Sequence, residues 1–360
     1  MFKNLYNRFF PTPKFLEAPS FGLDISDESI KYVQLVNTAK GIKVATFGER
    51  KIPKGVMESG KILDEEKIEE MLVLLRKEID IKSVRVSLPE EQVYLFNVKL
   101  NKEGLENIRE SIELSLEEYI PVPAQDAIFD YEIVGEDDVF LHLQVAAIPE
   151  NVIEEYLEVF KTSDIFVKSF ELEAQAIARA VIKKDDKGTY MIVDFGKKRT
   201  GIFIVSKGMA IFTSTLDMGG SLVAEMIAKN FKIDIVEAEK KKQEFGLKRN
   251  AENTETFSVL LNAVSILRDE IVKHSIYWHT HKDEEGNDRP PIEKIILCGG
   301  DANMIGLSEY LSVSMKMKVE MVNSWININT DSEYVPEIAF NQSLAFASAL
   351  GLALGDFEHD

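Results

Sequence analysis

The chain is short of cysteine, of cations and of uninterrupted apolar sequence, and each shortage excludes a class of protein. A single cysteine, Cys298, among 360 residues leaves no partner for an internal disulfide and no cysteine-cluster metal site, and it fits a reducing compartment. Lys and Arg number 42 against 61 Asp and Glu, a net charge of −19 with no basic block. Such a surface repels phosphate backbones, which argues against a nucleic-acid partner. The longest weakly polar run, Ser343 to Gly355, is too short to span a bilayer and reads as a buried helix. The first residues, MFKNLYNRFFPTPK, place Lys3, Arg8 and Lys14 among aromatics with no apolar stretch behind them, which is not a secretory signal. The expectation is a cytoplasmic protein without a transmembrane segment. What remains, 45% hydrophobic and 29% charged, is the composition of a folded globule, and its length suggests roughly two to three domains.

Periodicity divides the chain into alternating strands and helices. Residues 20–36 read as strand, polar turn and strand, with 43–51 continuing as strand. Between Asp64 and Glu78 the apolar positions Ile68, Met71, Leu72 and Leu75 fall at helical spacing, with Asp64 as N-cap. Residues 83–99 return to strand, and 102–119 read as a helix that stops at Ile120-Pro121, since proline has no N–H and disfavours the helical region for its predecessor. Strands at 127–134 and 139–148, a helix at 150–161 and a strand near 165–170 complete an α+β module set inside a larger domain. Residues 189–205 then repeat the opening strand-turn-strand. Asp24 and Asp194, 170 residues apart, each end a first strand, and each is followed two positions later by a small residue, Ser26 or Gly196. Two halves of one design are a natural reading of this pair. Helices at 235–245 and 255–279, a buried strand ending at Gly299-Gly300, strands around 318–322 and a helix at 341–354 follow.

Three turns point backbone amides at one kind of ligand. Gly299-Gly300 follows a strand and opens a helical turn, which suits an anion or the plane of a base. The turns after Asp24 and Asp194 are short enough to wrap phosphate oxygens, and carboxylates at those strand ends would face a Mg²⁺ ion. Each signal alone is generic.

Their order is not. GLDIS, ELEAQAIARA, IVDFGKKRTGIFIV, ILCGGDANMIGLSEYL and ASALGLAL resemble, in sequence, the phosphate 1, connect 1, phosphate 2, adenosine and connect 2 segments of actin-like proteins. SLEEYIPVPAQDAIFDYEIV, LDMGG, EAEKKKQEFGL and VNSWINI narrow the resemblance to the PilM family of type IV pilus assembly proteins, relatives of the cell-division protein FtsA. It covers about Gly22 to Leu354. The resemblance implies an α/β, actin-like two-lobed fold with ribonuclease H-like halves around a nucleotide cleft. It divides the chain into an N-terminal segment, 1–20, and a first lobe made of 21–83, 167–188 and 335–355. A 1C-type module at 84–166 is inserted there, and the second lobe is 189–334. Adenine nucleotide, ATP or ADP, with Mg²⁺ is the implied cofactor. Asp24 and Asp194 would hold Mg²⁺ through water, with Ser26, Gly196, Thr200, Gly219 and Gly220 around the phosphates. Glu239 and Lys242 would meet the ribose, Gly299 and Gly300 the adenosine, and Glu173 the attacking water of at most a slow ATPase. The implied partners are other pilus assembly components and, above all, the cytoplasmic N-terminal peptide of the inner-membrane protein PilN. That peptide would hold a cytoplasmic scaffold peripherally at the inner membrane.

Departures from the family pattern are few. Lys197, Lys198 and Arg199 stand where small or neutral residues are usual; they either hold phosphate or are solvated turn residues, and the second is favoured. Asp301, after the glycine pair, adds a negative charge near the expected nucleotide or caps the following helix. Cys298 reads as a small buried hydrophobe. Phe2, Leu5, Tyr6, Phe9 and Phe10 form one apolar face of an expected short helix. Rival readings are an FtsA-like division protein, a type II secretion scaffold and a sugar or acetate kinase. The first is disfavoured by the acidic end Gly355 to Asp360, which anionic lipid would repel. A membrane span is absent for the second, and a substrate carboxylate for the third.

Overall fold

The computed structural model describes residues 20–357 apart from 104, 106, 250–252, 283–285 and 330–333; the expected apolar face of Phe2 to Phe10 lies outside the described residues. In chain order, β1 (Phe21–Ile25), β2 (Ser29–Thr38) and β3 (Gly41–Lys51) are followed by a ribbon of β4 (Met57–Glu58) and β5 (Lys61–Ile62), and then by β6 (Ser83–Leu88). Next come β7 (Tyr94–Asn101), β8 (Ala127–Glu136), β9 (Phe140–Pro149) and β10 (Phe166–Leu172). The second half supplies β11 (Thr189–Phe195), β12 (Thr200–Ser206), β13 (Met209–Leu216), β14 (Lys294–Cys298) and β15 (Val319–Met321).

These strands form two five-stranded sheets of identical order, β3-β2-β1-β6-β10 and β13-β12-β11-β14-β15. In each, the first three strands are an antiparallel meander and the last two join parallel to the first strand. The duplication expected from the two aspartate hairpins is therefore architectural. Local chemistry dictates the hairpins: Lys207-Gly208 joins β12 to β13 with both φ angles positive, 55° and 83°, the backbone twist that matches two antiparallel strands.

The central strands β1, β11 and β14 are buried along nearly their whole length because helices cover both faces. The helix Glu65–Ile79, capped by Asp64 on the amide of Lys67, buries Ile68, Leu72 and Leu75 against one face of the first sheet. Against the other face lies Ala347–Leu354, buried at every position. It packs on Glu173–Val181, which in turn packs on β12 and β13. A Cβ at Gly351 would sit 1.7 Å from the carbonyl of Ala176, so these helices meet backbone to backbone. This shared core joins Val33 and Leu35 of the first sheet to Ile192 and Phe203 of the second.

Several expected boundaries move. The strand read over 83–99 is two strands in different sheets, interrupted by Pro89 and a short 3₁₀ turn, Glu90–Gln92. The helix read over 102–119 is Ile108–Ser115, started by the Asn107 side chain on the amides of Arg109 and Glu110. The module is narrower than 84–166. β6 pairs with β1, and the helix Glu150–Lys161 buries Val152, Tyr156, Val159 and Phe160 in the first-lobe core. The independent part is the sheet β7-β9-β8 with Ile108–Ser115, whose own core includes Val98, Ile112, Leu116, Phe129 and Leu143. The helix read over 341–354 is broken by a 3₁₀ turn at Leu344–Phe346. Asp356, read as part of an acidic tail, is pinned by Arg85 at 2.9 Å and Lys168 at 2.5 Å.

Candidate functional site

The ends of β1, β11 and β14 open on one cleft of about 630 Å³ between the lobes. Its walls include Asp24, Ser26, Glu173, Asp194, Gly196, Glu239, Gly299 and Gly300, so eight of the twelve candidate residues are brought together from distant parts of the chain. The turn after β1 is closed by the Ser26 amide on the Ser29 carbonyl at 3.0 Å, and the turn after β11 by the Gly196 amide on the Arg199 carbonyl at 3.0 Å. Asp194 is the register partner of Cys298, which delivers β14 into Gly299 beside the carboxylate. Gly299 has φ of 92°, and a Cβ there would lie 2.5 Å from Asp194 Oδ1. Both conditions require glycine.

The other four candidates lie behind the walls. Thr200 is fully buried and donates its hydroxyl to the Met218 carbonyl at 2.6 Å, so it ties β12 to the next loop and does not face the cleft. Gly219 and Gly220 admit close neighbours: a Cβ on the first would meet the Lys197 carbonyl at 2.5 Å, and on the second the Asp301 carboxylate at 2.0 Å. Lys242 is 2% exposed; its ammonium meets Asp301 at 2.5 Å, Glu239 at 2.8 Å and the Gly220 carbonyl at 3.0 Å. A lysine so enclosed fastens three segments of the second lobe. Asp301 is accordingly its counter-ion and not a helix cap.

The electrostatics of the cleft are dominated by carboxylates. Burial, with the charge of Asp24 next, pushes the Asp194 carboxyl up to about 6. Burial also pushes Glu173 well above the usual carboxylate range, reinforced by Asp24 and Asp194. Cys298 is fully buried beside Asp194, as a small hydrophobe would be, and burial raises its thiol pKa. Asp24 accepts from Ser87 Oγ at 3.0 Å and faces Lys31 Nζ at 3.5 Å. Lys31 is a cleft cation that sequence reading missed. Burial disfavours its charge, but Asp24, Glu49 and Asp194 outweigh that and hold it protonated. The signal was available, because Asp24 and Lys31 are direct partners across the β1–β2 hairpin, where opposite charges meet. Gln243 also lines the cleft and was missed; nothing in its local sequence separates it from its charged helix.

The cations after β11 are all ion-paired, Lys197 and Lys198 at partly exposed positions and Arg199 largely enclosed. Lys197 meets Glu239 at 2.5 Å, Lys198 meets Glu28 at 3.3 Å, and Arg199 meets Asp27 and Glu91. The reason is tertiary, since the acidic turn after β1 lies opposite.

A divalent cation fits this donor set. Two carboxylates that repel one another, flanked by amide-rich turns, suit an ion that arrives with phosphate and water. Among the described residues no group of three or more His, Cys, Asp or Glu side chains is arranged to hold a metal by itself.

Paired sheets of one topology, facing carboxylates and three glycine or serine turns define an actin-like protein. Solved structures agree in fold. EutJ from Carboxydothermus hydrogenoformans, an ethanolamine utilization protein, aligns at a TM-score of 0.56 with 18% identity over 96% of this chain and 91% of its own. MreB5 of Spiroplasma citri bound to ADP gives 0.51 with 15% identity, over 86% and 93%. The PilM-PilN type IV pilus biogenesis complex gives 0.77 with 21% identity, over 95% of this chain and 99% of the matched one. The model of the type IV pilus assembly protein PilM family matches residues 22–357, and the chain belongs to that family. Among the described residues no helix is long and apolar enough to cross a membrane.

Proposed function

We propose that this chain binds an adenine nucleotide with Mg²⁺ in the cleft and works as an assembly scaffold of a type IV pilus machine, held at the inner membrane by a PilN-like partner. The observation that carries the nucleotide reading is the convergence of Asp24 and Asp194, from the duplicated strands β1 and β11, on one cleft with the turns at Ser26, Gly196 and Gly299. The backbone amides of those turns would receive phosphate oxygens. Asp24 and Asp194 would face the ion, and Lys31 would offset the charge of both carboxylates and phosphates. Mg²⁺ supplies charge neutralisation of the phosphates when bound. Glu173 would stand near the attacking water, but burial, with Asp24 and Asp194 next, pushes its pKa well above the usual carboxylate range, which disfavours the anionic form that would activate water. Slow or negligible turnover follows. Titration calorimetry with Mg²⁺-ATP and Mg²⁺-ADP tests this: binding should be measurable in the wild type and lost in Asp24→Ala and Gly300→Glu. If neither nucleotide binds the pure wild type, the nucleotide reading is wrong.

The partner reading rests on family membership and on the PilM-PilN complex, whose fold this chain shares. The peptide would lie between the β7-β9-β8 module and the first lobe, paired along strand backbone and anchored by a few apolar side chains. A synthetic peptide of the PilN cytoplasmic N-terminus should bind with measurable affinity by fluorescence anisotropy. Equal binding to protein with a recoded module surface and unchanged circular dichroism would place the interface elsewhere.

A further inference from the structure

The three cations of the turn after β11 have anions in different places. Lys197 is satisfied within its own lobe, by Glu239. Lys198 and Arg199 cross the cleft, to Glu28 and to Asp27 and Glu91; Arg199 also lies 3.8 Å from the exposed Asp217 of its own lobe. Of the first-lobe anions, Asp27 is held in place without them. The Asp27 carboxylate accepts the amides of Ser59 and Gly60 at 3.1 and 3.0 Å, and Glu91 belongs to the 3₁₀ turn Glu90–Gln92 that follows β6. The side chains of Arg199 and Asp27 are 16% and 7% exposed, so solvent screens the pair little. A planar guanidinium facing two carboxylates, one of them held by backbone amides, favours a strong arginine ion pair. All of these groups stand on the cleft wall between the two phosphate-type turns.

We infer that Arg199, seconded by Lys198, is an electrostatic latch that holds the lobes together across the cleft and must part before nucleotide can exchange. The inference rests on the nucleotide reading above for its ligand, though not for the latch itself. Opening separates one cation from two carboxylates, so its barrier falls as salt rises. The latch belongs to the apo protein as well, because every partner is a side chain of this chain.

Two measurements on the full chain test it. Spin labels at the exposed positions Lys54→Cys and Lys229→Cys, with native Cys298 fully buried, report the distance between lobes without nucleotide by pulsed electron resonance. Arg199→Gln should broaden that distribution toward longer distances, and Glu91→Gln, made on the opposite lobe, should do so less. Release of a fluorescent ADP analogue should be about tenfold faster from Arg199→Gln than from wild type at low salt. The wild-type rate should rise with NaCl between about 50 and 500 mM, and the variant's should rise less, since only Lys198 still pairs across the cleft. Unchanged distances in both variants overturn the latch, as do equal release rates at low salt. Should Arg199→Gln not fold, Glu91→Gln carries both measurements. If the wild type binds no nucleotide yet the distances still broaden, the nucleotide reading falls and the latch stands.

Discussion

The two sheets share strand order and direction, yet their equivalent positions differ where function differs. Across the first hairpin Asp24 faces Lys31; across the second Asp194 faces Gly201. One carboxylate therefore has its own cation, while the other has none on its hairpin and its pKa rises. The turns differ in the same complementary way, Asp27-Glu28 in the first half and Lys197-Lys198-Arg199 in the second. Packing differs too. β1 carries Gly22 where β11 carries Ile192, and a Cβ at Gly22 would meet the Ala349 carbonyl at 2.0 Å. A duplicated fold thus supplies symmetric backbone, and unequal side chains make the turn of one half acidic and that of the other basic.

The largest effect should come from breaking the tight half. Gly351→Val, or Gly22→Val, drives a side chain into backbone that has nowhere to move and should cost at least about 3 kcal/mol. Thermal melts should show loss of the folded state or a large drop in midpoint. An Ile192→Val change at the equivalent second-lobe position removes one methylene and should cost about 1 kcal/mol. Equal losses would deny the asymmetry.

Next is Lys242→Met. It leaves Asp301 and Glu239 without their buried counter-ion and should destabilise by about 3 kcal/mol in urea titrations. Adding Asp301→Asn should recover part of the loss, since only then is the uncompensated charge removed.

Asp194→Asn should move in the opposite direction. The raised Asp194 carboxyl binds its proton more firmly in the folded than in the unfolded chain, so this group's contribution to stability falls as pH rises from about 4 to about 6. Above pH 6 the variant should be about 1–2 kcal/mol more stable than wild type, with the gap closing toward pH 4. The same change should abolish Mg²⁺-nucleotide binding, the usual opposition of stability and function at a built site. Asp24→Asn, which strands Lys31, should not stabilise the protein. A gain equal to that of Asp194→Asn would show that the two carboxylates are equivalent after all.

The smallest effect belongs to Lys198→Ala. Its pair with Glu28 is more than one-third exposed on the lysine side, and its loss should change stability by less than about 1 kcal/mol. A larger change in the melting curve would make Lys198 an equal member of the cross-lobe contacts.

Much of the fold was legible because its signals are local. Asp64 as a cap, the helical stripe of Ile68, Leu72 and Leu75, and the paired hairpins at Asp24 and Asp194 depend on neighbours within a few residues. The misreadings share the opposite character. Pro89 divides what alternation alone reads as one strand, and only pairing shows that β6 and β7 enter different sheets. The helix Glu150–Lys161 has the composition of a module helix, but the apolar surface available to it is the first-lobe core.

The site divides in the same way. The sequence by itself determined which residue types stand at the strand ends and glycine turns, since Asp24, Asp194 and Gly299 follow from strand termination and from a φ that only glycine adopts easily. It could not determine the fate of side chains whose partners lie far along the chain. Lys242 closes onto Asp301, Thr200 turns to the Met218 carbonyl, and Arg199 crosses to Asp27 and Glu91. Periodicity states whether a position is buried or exposed within its own element. Which partner it meets is decided when segments that lie apart in the chain, within one lobe or across the cleft, close on one another.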